Sequence, residues 1–147
     1  MGTIRDLLEA LERVDLEAQA EVILENTSEE IIKHNQSQLY YEGIDADGKS
    51  LEPYKWKEYA AYKARRNPSH PGIPDLYDEG NFYRGFEVEL LGGAKFTLKS
   101  TDEKATALEQ KYGQIFGLTD ENEAKYGEFY KALLMAYISN VTGLKSE

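Results

Sequence analysis

The chain predicts an α+β fold in which long N-terminal helices and a C-terminal helix pack on a small antiparallel β-sheet. Three observations carry this. No Gly or Pro occurs from Thr3 to Glu42, and apolar residues recur there at helical spacing. Residues 85–100 switch to a period of two, through Phe86-Glu87-Val88-Glu89-Leu90 and Lys95-Phe96-Thr97-Leu98-Lys99-Ser100. With Leu91-Gly92-Gly93-Ala94 between them, these runs read as a β-hairpin. Asp120 with Glu123 then spells a helix start, ahead of a stripe formed by Phe129, Leu133, Ala136 and Tyr137.

A length of 147 residues suits one domain with a real core. It divides into a helical part (1–42), a loop, helix and hairpin core (43–118), and a C-terminal helix with its tail (119–147). Ile4, Leu7, Leu8, Leu11 and Val14 form one stripe expected to be buried, and Leu16, Ala20, Ile23, Leu24, Thr27, Ile31 and Leu39 form a second. Asp15 is placed to cap the second helix. Thr27 with Glu30 also spells a capping box. One long helix with Asn26-Thr27-Ser28 on a solvated face is the favoured reading of this stretch. It ends at Tyr41-Glu42-Gly43, where Gly43 can take the left-handed C-terminal position.

Residues 43–51 are rich in turn formers. Tyr54 to Arg66 reads as an aromatic, basic helix with Trp56, Tyr59, Tyr62 and Lys63 at helical spacing. One face of such a helix is usually core, with lysine stems running along the other. Asn67 to Pro74 holds three of the four prolines, and an exposed, mobile loop is expected there. Thr101 is placed to cap a helix carrying Ala105, Leu108 and Tyr112 and stopping at Gly113. Gln114 to Leu118 reads as a short strand, and the last helix is expected to run to about Asn140.

Composition narrows the function classes. The chain is 41% hydrophobic and 12% aromatic, too apolar for a disordered segment. It has no cysteine, which removes disulfides and thiolate metal sites. The N-terminus lacks the apolar run of a signal peptide, Asp6 stands where a myristoylation motif needs Ser or Thr, and no run approaches a membrane span. The net charge is −10, which disfavours nucleic acid as a general partner. The charge is uneven: residues 1–30 carry nine acids against Arg5 and Arg13, while Lys55 to Arg66 holds five cations and one acid.

No chemical motif survives inspection. Asp45-Ala46-Asp47-Gly48 resembles the start of an EF-hand, but the frame puts Gly43 and Tyr54 where carboxylates are needed; a turn stabilised by Asp side chains is the better account. His34 and His70 are the only histidines, have no companion ligands at metal-binding spacing, and are expected at the surface. No serine lies in a Gly-x-Ser-x-Gly elbow, and no P-loop or dinucleotide fingerprint occurs. With 27 acids any carboxylate pair can be nominated for hydrolysis, so none is specific. The expectation is no catalytic set, no cofactor and no metal. Trp56, Tyr59, Tyr62, Arg65, Arg66 and His70 are the candidate interface residues, with protein ahead of nucleic acid as partner.

Three segments are similar to those of the virion-morphogenesis proteins of tailed bacteriophages, the neck, tail-completion or minor tail family. The first is Gly43-Ile44-Asp45-Ala46-Asp47-Gly48 followed by Tyr54-Lys55 and Tyr59 to Lys63. The second is Leu76-Tyr77-Asp78-Glu79-Gly80-Asn81-Phe82. The third is Tyr112-Gly113-Gln114-Ile115-Phe116-Gly117. With the long helix that closes into the first segment, the similarity covers roughly residues 16–120, and the Phe-Tyr and Ile-Phe-Gly-Leu variants resemble those of Bacteroidetes phages and prophages. The chain departs from the pattern in three ways: Glu79 replaces a Thr, the third segment lacks its His, and a helix replaces a proline-rich continuation.

The resemblance implies a structural protein without catalysis, located in the virion and in the host cytoplasm during assembly. Its partners would be other virion proteins (portal or connector, tail tube) and further copies in a ring, with DNA passing but not specifically bound, and no membrane. Gly80 would turn the backbone before the hairpin, and Gly113 and Gly117 would frame a buried Ile115 and Phe116. A small carboxylate-pair hydrolase, or an adaptor binding nucleic acid through the 55–66 helix, are the alternatives.

Overall fold

The computed structural model describes residues 3–12, 15–69, 72–93 and 95–143. His70 and Val14, and the side chain of Leu11, lie outside them. The fold is α+β, with helices enclosing one hairpin. In chain order the elements are α1 (Ile4–Glu12), α2 (Leu16–Asn26), α3 (Ser28–Ser37), a π-helical turn (Gln38–Glu42), α4 (Lys57–Arg66), α5 (Asn81–Arg84), β1 (Phe86–Gly92), β2 (Lys95–Ser100), α6 (Ala105–Tyr112) and α7 (Asp120–Thr142).

The start of α2 follows from Asp15, whose carboxylate accepts from the Ala18 amide at 3.0 Å, satisfying a free helical donor. The helix does not run unbroken to Gly43, as the stripe suggested. It is interrupted at Thr27, which is buried rather than solvated. The Thr27 hydroxyl donates back to the Ile23 carbonyl and pairs with the Tyr126 hydroxyl at 2.8 Å. The side chain is thus drawn into a long-range contact and makes no capping bond of its own. The π-helical turn ends on Gly43, in the left-handed conformation.

β1 and β2 pair antiparallel, with Val88 opposite Leu98 and Leu90 opposite Phe96. Those residues face the helices, while Glu87, Glu89 and Lys99 are exposed, so the alternation matches a one-sided sheet. A lone hairpin is marginal in water; here α2 and α3 cover its apolar face. Two apolar clusters form the core. Leu39, Leu51, Phe82, Phe86, Ala105 and Ile115 make one. Leu24, Ile31, Leu98 and Tyr126 make the other, and Ile32 and Phe116 touch both.

Four further expectations are corrected. Residues 114–118 form no strand, because side-chain amides take the place of a neighbouring strand. Asn35 donates to the Ile115 carbonyl (2.9 Å) and accepts from the Gly117 amide (3.0 Å); Gln38 does the same for the Gly117 carbonyl and the Thr119 amide. Thr101 is exposed and caps nothing; Lys104 precedes α6, and the local turn is closed by Ser100 Oγ accepting from the Asp102 amide. Thr119, not Asp120, caps α7 by accepting from the Asn122 amide. In α7 the buried residue is Tyr126, whereas Phe129, Leu133 and Ala136 are exposed. Likewise Ile4, Leu7 and Leu8 of α1 are exposed, as is Leu16, and among the described side chains of α1 Ala10 is the buried one. Those apolar positions keep a large share of their surface uncovered among the described residues.

Candidate functional site

The aromatic helix is inverted relative to expectation. It begins at Lys57, with Trp56 as an extended N-cap residue, so Tyr54 and Trp56 belong to the preceding segment. Trp56 is 71% exposed, Tyr59 44% and Tyr62 43%, while Lys63 is buried. The reason is a charged anchor. Lys63 Nζ lies 2.8 Å from Asp75 Oδ1, both side chains being almost wholly enclosed, and it also donates to the Tyr77 carbonyl. A lysine seldom buries without such pairing; here the pairing turns the helix so that its rings face solvent.

Asp75 is the hub of this arrangement. Its carboxylate also accepts from the Tyr77 amide at 2.9 Å and from Asn67 Nδ2 at 3.1 Å. Asn67 donates to the Tyr40 carbonyl as well, at 2.6 Å, and Tyr83 donates its hydroxyl to the Asp75 carbonyl. Asp75 therefore ties α4 to α5, by its carboxylate to Lys63 and by its main-chain carbonyl to Tyr83, and Asn67 links it to the π-helical turn. The loop at 67–74 is accordingly pinned at both ends, since Asn67 and Pro74 are buried, rather than exposed throughout. Asp75 and Asn67 were not singled out from sequence. The available signal was an acid inside the otherwise apolar run Ile73-Pro74-Asp75-Leu76, where a charge requires a partner.

Leu76 follows with φ +58, a conformation costly for a branched, bulky residue. Asp75 stabilises it by gripping the Tyr77 amide from the other side. Gly80 has φ +88, and a Cβ there would come within 2.9 Å of Arg84 and 3.0 Å of the Tyr77 hydroxyl, so the turn into α5 requires glycine. Phe82 descends from this turn into the core against Phe86, with ring centroids 5.1 Å apart.

The three segments 43–63, 76–82 and 112–117 converge in space. Asp45 Oδ1 accepts from the Asp47 and Lys49 amides at 2.9 Å each, closing the turn before Gly48 as expected. The adjacent Ala46 amide donates to the Gln114 carbonyl at 2.8 Å, and Gly117 lies so close to Ala46 that a Cβ would approach its Cβ to 3.0 Å. That joins the first segment to the third, where Ile115 is fully buried and Phe116 packs on both clusters. Lys63 joins the first to the second through Tyr77. Tyr54 and Tyr112 then meet across two adjoining hollows. One, of about 180 Å³, is walled by Tyr54, Tyr59, Leu76, Phe82, Leu108 and Tyr112. The other, of about 310 Å³, runs along Pro53, Tyr54, Trp56, Tyr59 and Tyr112.

Of the five cations in 55–66, Lys63 is consumed inside, and Arg66 is held by Asp78 at 3.5 Å and by the Tyr62 hydroxyl at 3.1 Å. Lys55, Lys57 and Arg65 remain exposed. The phenols respond to this environment. Burial, and then the charge of Asp75, push the Tyr83 and Tyr54 hydroxyls well above the ordinary phenol range. Among the described residues no three His, Asp or Glu side chains gather as a metal site, and no helix is long and apolar enough to cross a membrane. His34 is half-buried on α3.

No family model matches the chain, and no solved structure matches it. It is similar to a sulfate adenylyltransferase of Thermococcus onnurineus (strain NA1), 30% identical over 125 residues. The match covers 74% of this chain and 33% of that protein, so the chain spans about a third of the relative's length.

Proposed function

We propose that this chain is a structural protein of a tailed-bacteriophage virion, at the head–tail junction or the tail end, working by self-association and docking. The observation that carries this reading is the use made of the three segments that carry the resemblance. Their buried polar groups Asp45 and Lys63, with Asp75 beside them, are spent on fixing backbone and turning aromatic rings outward. Such an arrangement serves contact: tyrosine and tryptophan exposed on a rigid support are the residues that dominate protein interfaces. A ring of copies needs two different complementary surfaces on each subunit. The net charge of −10 suits a passage through which DNA slides without being held.

Deletion of the gene from its phage or prophage is the test. Particles are expected to accumulate as unjoined heads and tails or unfinished tails, with plasmid-borne supply restoring infectivity. Complete, infectious particles without the protein contradict the reading. The enzymatic alternative draws on the similarity to the sulfate adenylyltransferase. The hollow under Tyr54 and Tyr112 is lined by Lys63, Lys104 and Lys111 but also by Asp78, Glu79 and Asp102, and Lys63 is already paired with Asp75, so no cationic surplus is left there for an anionic substrate. Calorimetric titration with ATP and sulfate is expected to give no binding heat; saturable heat would favour that alternative.

A further inference from the structure

We infer that α1 of one copy docks into the aromatic groove of the next, in the hollow formed by Pro53, Tyr54, Trp56, Tyr59 and Tyr112. The inference rests on the reading above and supplies its subunit contact.

The argument begins with α1. An amphipathic helix normally buries its apolar stripe, yet Ile4 is 79% exposed, Leu8 55% and Leu7 37%, while Ala10 is buried instead. α1 rests on α7, and Ile4, Leu7 and Leu8 keep much of their surface uncovered. Residues 4, 7 and 8 have the spacing of a helix that lies in an apolar groove.

The groove is the complementary feature. It is about 310 Å³ in volume, walled mainly by rings and a proline, with Lys55 and Lys111 against a single acid, Glu52. Lys57 stands exposed beside it. The α1 helix carries Asp6, Glu9 and Glu12 against Arg5. Glu9 and Glu12 have no ion pair among the described residues, and neither have Lys55 and Lys57. The exposed apolar and acidic side chains of α1 and a basic aromatic groove therefore both stay uncovered among the described residues, with opposite charge to steer and register them.

Both cannot be satisfied within one chain. α1 leads into α2 at Leu16, and α7, on which it rests, passes Tyr126 at Thr27. The groove lies past the other end of α3, beyond the π-helical turn that Asn67 anchors to α4. The contact is thus between different faces of two copies, head to tail, and repeats into a ring or a filament.

The single tryptophan of the chain, Trp56, reports on the groove directly. With rising concentration of the full chain, its emission is expected to move to shorter wavelength in step with an increase in sedimentation coefficient. Leu8→Glu should weaken both about tenfold or more, as loss of one central anchor does; Leu8 being exposed, circular dichroism should be unchanged. Lys55→Glu with Lys111→Glu should weaken them too, and mixing that variant with Glu9→Lys/Glu12→Lys should restore association. A chain that stays monomeric into the millimolar range with unshifted emission overturns the inference, as does association indifferent to Leu8→Glu. That second outcome, in a chain found in virions, leaves the virion reading standing. Association lost in Leu8→Glu, in a chain absent from virions, contradicts the virion reading alone.

Discussion

Among the described residues, Lys63 and Asp75 form the ion pair in which both side chains are enclosed. Removing one partner from a buried ion pair leaves an uncompensated charge, typically at a cost of about 3–5 kcal/mol. Lys63→Met should approach that loss in urea unfolding, since Asp75 stays buried and the Tyr77 carbonyl loses its donor. A loss below about 1 kcal/mol, the value of an exposed pair, would contradict the buried anchor. In the sequence Lys63 was visible only as part of a basic helix, and its partner was hidden 12 residues away behind the prolines. Spacing reports which residues share a face but not which face a distant carboxylate will claim. The phenols give a second test at this scale. Tyr83 and Tyr54 have hydroxyls raised by burial and by Asp75. In the unfolded chain they ionise near the ordinary value of 10.0, whereas in the folded chain they hold their protons. Their contribution is complete below that pH and is lost as pH rises through and above it. The melting temperature should therefore fall above that point, with the tyrosinate absorbance of Tyr54 and Tyr83 appearing together with unfolding, and Tyr83→Phe should flatten the fall.

Among the elements, those that depend on local pattern were legible. The hairpin was readable because alternation and a Gly-Gly turn lie within one stretch, and Asp15, Gly43 and Gly113 mark helix ends by backbone chemistry that any context shares. The segment 114–118 was misread because its partners are not backbone. Asn35 and Gln38, both fully buried, reach across some eighty positions in sequence and act as a strand made of side chains. This substitution predicts a specific weakness. Gln38→Leu leaves the Gly117 carbonyl without its side-chain donor and the Thr119 amide without its side-chain acceptor, at about 1–3 kcal/mol for each group left buried and unsatisfied. Hydrogen exchange should quicken at Thr119 and its neighbours while the β1–β2 amides keep their protection. Uniform quickening across the chain would mean that the segment is not held locally. The outer faces of α1 and α7 were misjudged for a related reason: a stripe predicts burial, but the surface that covers it need not belong to the same chain.

At the scale of the whole molecule, the α+β architecture and the convergence of the segments 43–63, 76–82 and 112–117 combine into one account. The fold is a rigid mount, stiffened by a buried ion pair and two buried amides, from which aromatic rings and an acidic apolar helix project. The candidate site was legible as a list of aromatics and cations, but not as an outward-facing surface. That orientation depends on Asp75, on Asn67 and on the strained Leu76, which spacing does not reveal. The account's central claim is that these surfaces are buried in an assembled virion. Peptide identification on purified virions, combined with electron cryo-microscopy of the neck and tail end, tests it most directly. The protein is predicted to be present in a fixed copy number, in a closed ring at one of those two positions, with the groove at Trp56 covered. Its absence from purified virions, or its presence with α1 and the groove both open to solvent, would contradict the account.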